Sequence, residues 1–212
     1  MDLAVTPTPS TRFSVQRLGT ACLASGVLGS IIGALSLVYP AAVPHHQWSY
    51  PFPSGVAAAV AVLLAVTHVL TAAGFLGVLA VHPYAGRRPA AIALRVAIVG
   101  LAGLALCELA SGAIGSDSTD STPADVVGGL FGVMSLLIAV GSIVAGIAVV
   151  RAGRWTGAAR WTLLVSGLIL VLLVTPANIS GDRYAIYPAL ILWSLTFVWL
   201  GRAVTNSAAA RR

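Results

Sequence analysis

Two ionisable side chains, Glu108 and His68, sit inside stretches that are otherwise apolar. A carboxyl and an imidazole are a pairing suited to moving protons near neutral pH. In hydrocarbon each costs a few kcal/mol unless paired or neutralised, which makes such residues functional candidates by default. On a helical projection Glu108 shares its face with Leu101, Leu104, Ala105, Ser111, Gly112 and Gly115. His68 shares its face with Ala61, Leu64, Ala65, Thr71 and Ala72. Small and hydroxyl neighbours turn both residues inward. They would either exchange protons along a pathway or serve packing, with a protonated Glu108 bonded to a carbonyl or to Ser111. Counted from the ends of their spans, the two differ in depth by roughly 12 Å. That spacing predicts that they do not touch and that exchange needs a water between them.

Other chemistry finds no complete set. His45 and His46 could ligate a metal, but adjacent residues rarely point to one site and no nearby Cys, Asp or Glu completes it. Ser-Gly pairs occur at Ser25, Ser54, Ser111 and Ser166, yet nothing ties a histidine to any of them as a base. There is no phosphate-binding loop, no paired-carboxylate motif and no zincin motif. The reading is therefore of a non-enzyme, with no catalytic, metal or cofactor-binding residue to name.

The elements that must position Glu108 and His68 are long apolar rods. Ser54 to Val81 holds 28 residues without an acid, Lys or Arg, and about 20 suffice to cross a bilayer core. Only 8 % of all 212 residues are charged and 58 % are hydrophobic, against about 25 % charged in a soluble domain. Lipid must be the solvent for most of this surface. The spans are predicted at Leu18–Tyr39, Ser54–Val81, Ala90–Ile114, Val126–Val150, Thr162–Ile179 and Tyr184–Val204, an all-α integral membrane bundle of six transmembrane helices. Residues 1–17 are expected to be a disordered tail and 205–212 a cytoplasmic tail.

Local signals refine this picture. Gly26, Gly29 and Gly33 allow close helix approach and are weak grounds for a dimer. Thr122-Pro123-Ala124-Asp125 reads as a helix start, with Thr122 as the cap. Pro176 permits a bend near the far end of the fifth span. Cys22 and Cys107 lie near opposite ends of their spans, roughly 15–20 Å apart in depth, too far for a disulfide.

All twelve basic residues are arginine. Nine fall in the two tails and the alternate turns, Arg95 and Arg202 fall a few residues inside the span ends on that same side, and only Arg183 falls in the other set of loops, with Asp117, Asp120, Asp125 and Asp182. The positive-inside rule then places both termini in the cytoplasm and the chain in the cell membrane. Arginines interspersed with apolar runs, rather than gathered in one stripe, exclude a nucleic-acid partner. The loop Pro40–Pro53 carries four prolines with Trp48, Tyr50 and Phe52, and is expected to lie over the outer mouth of the bundle.

The segments WSYPF (Trp48–Phe52), CELA (Cys107–Ala110) and RAGRW (Arg151–Trp155) resemble those of uncharacterised actinobacterial multi-pass membrane proteins. The resemblance implies no activity and no catalytic residue. Two functions are compatible with these residues. One is a membrane-embedded accessory component, with lipid and a membrane-protein partner or a second copy as neighbours. The alternative is a small proton-linked permease or carrier using Glu108 and His68.

Overall fold

Apolar stretches this long satisfy their backbone polar groups internally as helices, since the bilayer core offers no water to do so. The computed structural model describes residues 9–209, with side chains from Ser14 onward. It is all-helical, and six helices are long and apolar enough to cross a membrane, with mean hydropathies from 1.5 to 2.6. Helix α1 spans Pro9–Val38, α2 Ser54–Val81, α3 Arg88–Ala113 and α4 Thr122–Ala152. The fifth crossing is composite: a 3-10 turn at Gly157–Trp161, α5 at Thr162–Ile169, a π-turn at Leu170–Val174 and α6 at Thr175–Ser180. Helix α7 spans Arg183–Ala209.

The ends differ from expectation in readable ways. Helix α1 begins at Pro9, so the expected disordered tail is helical from there, and residues 1–8 lie outside those described. A proline suits a first helical turn because its missing N–H would be unpaired there anyway. At the other end α7 runs through most of the expected cytoplasmic tail, to Ala209, and 210–212 lie outside the described residues. The cap of α4 is Ser121, not Thr122: its hydroxyl accepts from the Ala124 N–H at 3.4 Å. In the fifth crossing Pro176 sits in the first turn of α6, directly after the π-turn, where the Thr175 hydroxyl donates to Leu170 O at 2.8 Å.

The helices close a ring in the order α7, α1, α2, α3, α4, α5, with α5 returning to α7 and α2 also touching α7. Glycines set the seams. A methyl group added at Gly26 would come within 2.6 Å of Ser194 O, and one at Gly33 within 2.8 Å of Ile191. Gly29 meets Ser194 in the same way. The glycines read as a dimer face are thus used within the chain, against α7. Gly100 against Ile138 and Gly167 against Ile143 do the same for the α3–α4 and α4–α5 seams. Facing outward are large apolar side chains such as Leu106, 68 % exposed, and Val99, 62 % exposed. This inversion of a water-soluble surface is the architecture of a multi-pass membrane protein.

One end of the bundle carries the turns at 82–87 and 153–161, rich in arginine, together with the start of α1 and the end of α7. The other carries the loops at 39–53, 114–121 and 181–182. Arg183, alone of the arginines in this second set, donates from Nη2 to Leu37 O and Tyr39 O at 2.9 and 3.1 Å. It therefore satisfies carbonyls that the end of α1 leaves without an intrahelical partner.

Candidate functional site

His68 and Glu108 meet. Nε2 of His68 lies 3.4 Å from Oε1 of Glu108, across the seam between α2 and α3. The expected gap in depth, and the bridging water it called for, are corrected by two features of the packing. First, the two helices do not end in one plane. Gly112 of α3 packs on Ala58 and Ala61 of α2, so α2 projects past α3 at the arginine-poor end. Glu108, one turn below Gly112, is then only about 5–9 Å above His68 along the axis. Second, helical side chains lean toward the N-terminus of their own helix. In this antiparallel pair, Glu108 leans toward the arginine-rich end and His68 leans the opposite way, so the side chains converge.

The pair faces the interior. The two side chains are 10 % and 13 % exposed. The His68 ring lies 6.1 Å, centroid to centroid, from Trp193 of α7, which in turn meets Phe197 edge-on at 4.9 Å. One turn along α2, Thr71 shares a 2.9 Å hydroxyl–hydroxyl hydrogen bond with Ser25 of α1. Ser142 of α4 and Ser166 of α5 are fully buried, and their hydroxyls, like Trp193 Nε1, have no partner among the described residues. Each crossing thus contributes a polar side chain to an otherwise apolar interior.

Behind the pair, the opposite side of the α2–α3 seam is a wholly apolar groove of about 500 Å³. Val62, Ala65 and Val69 of α2 and Ala105 and Leu109 of α3 line it. Ala65 and Ala105 stand one turn along their helices from His68 and Glu108.

The cysteines do not pair: both are free and buried, and the Cys22 thiol donates to Phe197 O at 3.4 Å. The His45 ring lies 4.9 Å from that of Tyr50, tilted at 55°, within the first loop. Among the described residues, no three His, Cys, Asp or Glu side chains come together.

Sequence reasoning missed Trp193, whose neighbourhood with His68 depends on α7 crossing to α2. It also missed the bond from Trp48 Nε1 to Ser111 Oγ, at 2.8 Å. Both tryptophans carry a polar N–H on a large ring, a signal that a buried partner should be sought.

The six helices and this intramembrane pair define a multi-pass membrane protein with one acid–imidazole centre. Compared with family models, curated proteins and solved structures, the chain finds no match.

Proposed function

We propose that this chain is a small proton-linked carrier of the cytoplasmic membrane, with the His68–Glu108 pair as its proton-exchange centre. The observation that carries the reading is the 3.4 Å contact between Nε2 and Oε1 within the membrane-crossing part of the bundle. A pair holding one proton is neutral overall, either as imidazole and carboxylic acid or as imidazolium and carboxylate. Taking up a second proton leaves a net positive charge in a medium that penalises it, and losing the first leaves a net negative one. Each change of charge alters the attraction between α2 and α3, which are the helices the pair bridges. Close packing does not require the pair, because Gly112 already brings the two backbones together at Ala58 and Ala61.

In proteoliposomes, an imposed pH gradient should drive proton entry that Glu108→Gln abolishes while the variant still elutes as a folded species. Full flux in folded Glu108→Gln would sink the proposal. Both termini are proposed to be cytoplasmic, on the eleven-to-one arginine bias. An impermeant maleimide applied to intact cells should therefore label Asp120→Cys and spare Arg88→Cys.

A second reading, an accessory component that docks another membrane protein or a second copy, is favoured by α4. Gly129 and Gly132 have nothing within 4 Å and Gly128 meets only the Trp48 ring, whereas the glycines of the α1–α7 seam are filled by a neighbouring helix. This reading predicts a partner cross-linked through Gly132→Cys and full function with Glu108→Gln.

A further inference from the structure

The first loop is folded down onto the end of the bundle rather than left in solvent. Its Trp48 N–H donates to Asp117 O at 2.9 Å and its Ser49 N–H to Gly115 O at 3.2 Å. The Thr119 N–H donates to His46 O at 2.8 Å, and Gln47 and Ser118 form an antiparallel bridge. This short two-stranded pairing presses the Trp48 indole onto the end of α3. There Nε1 donates to Ser111 Oγ at 2.8 Å. Gly128 of α4 leaves room for the far edge of the ring, which lies 3.8 Å from where a Cβ at 128 would be.

Ser111 is one turn from Glu108 on the same helix face, on the side of the nearer helix end. Glu108 is five residues, about 7.5 Å, from the last residue of α3 and twenty, about 30 Å, from the first. Water reaching the carboxyl by the shorter route comes from the arginine-poor end and passes Ser111. An indole bonded there blocks that route with an apolar ring.

We infer that Trp48 is the access residue of the His68–Glu108 centre, and that protons exchange with the arginine-poor side when the 46–49 segment lifts off Ser111. The inference deepens the proton-exchange reading, on which it rests, by naming the side from which the proton arrives. The segment is suited to lifting because a handful of hydrogen bonds, each worth little net, hold it against the end of the bundle.

The test is the reaction of Glu108 with a membrane-impermeant carbodiimide and an amine, applied to sealed vesicles whose arginine-poor ends face outward. Peptide mass spectrometry reads Glu108, with exposed Asp182 as an internal reference. Trp48→Ala, which removes both the bond and the ring, should raise the rate at Glu108 by more than the about tenfold that loss of one hydrogen bond of ordinary strength gives to an opening equilibrium. Trp48→Phe, which keeps an aromatic ring and loses the donor, should fall between, with Asp182 unchanged in all three. Ser111→Ala removes the acceptor without touching the loop and should match Trp48→Phe if Trp48→Ala fails to fold.

Equal rates at Glu108 in wild type, Trp48→Phe and Ser111→Ala overturn the inference, as does faster reaction from the arginine-rich side. Proton flux measured on the same vesicles separates the two proposals. Accelerated modification without flux in wild type removes the carrier and leaves the lid. Intact flux with unchanged rates removes the lid alone.

Discussion

The Cys22 thiol occupies the space that a side chain at position 74 would need. A Cβ built on Gly74 collides with both the sulfur and the Cβ of Cys22, at the point where α1 crosses α2. Cys22 is fully buried, and with its proton on sulfur it donates to Phe197 O of α7, so this one residue joins three helices.

Gly74→Val should therefore destabilise the bundle by about 1–3 kcal/mol, the usual cost of forcing extra methyl groups into a packed seam. Thermal unfolding in detergent, followed by maleimide capture of Cys22, reads this directly. Cys22 should be unreactive in the folded wild type and should become reactive at a lower temperature in the variant. A variant with an unchanged transition would mean that the seam is looser than described.

Arg183 bonds the end of α1 although 144 residues separate it from Tyr39. Charge-assisted hydrogen bonds of this kind are worth about 1.5–3 kcal/mol, so Arg183→Ala should lower stability by that order. Arg183→Lys should recover only part, because its ammonium ends short of the Nη2 position and is more strongly hydrated than a guanidinium. Hydrogen exchange at the last turn of α1 and at Tyr39 should rise in parallel. Protection unchanged in Arg183→Ala would contradict the capping role.

A double-mutant cycle on His68 and Glu108 tests whether the 3.4 Å contact is energetic as well as geometric. Glu108→Leu or His68→Leu alone leaves one polar group without its partner, whereas the double variant leaves neither. The singles should each cost more than the double, with a coupling of about 0.5–3 kcal/mol. Additive losses would show that each residue acts alone.

Tyr84, in the arginine-rich turn outside the spans, is 2 % exposed. Burial pushes its phenol above the usual 10.0, and the nearby Arg95 guanidinium offsets part of that rise. The neutral ring is the form the fold prefers, so this contribution is fully present below about pH 10 and is lost as pH rises through the folded value. Melting temperature measured against pH should be level on the acid side of that point and fall beyond it. Tyr84→Phe should flatten the alkaline fall; a fall of equal steepness in the variant would assign it to other groups.

The amino-acid sequence alone determined the six crossings, because runs of about twenty predominantly apolar residues satisfy their backbone in lipid as helices. Ser54–Val81 was legible to the residue, since Pro53 precedes the uncharged run and the basic turn HPYAGRRP follows it, and the helix does end there, with His82 in the left-handed conformation. Glu108 and His68 were also legible, as ionisable groups in apolar runs. Their contact was not. Depth counted from span ends assumes helices that finish in one plane and side chains that act as points, and α2 and α3 violate both assumptions. Glycine spacing was equally ambiguous: Gly29 and Gly33 have the same separation as Gly128 and Gly132, yet α7 fills the first pair and no helix covers the second. Spacing along one helix says how closely a neighbour could approach. Only the packing of all six decides whether one does.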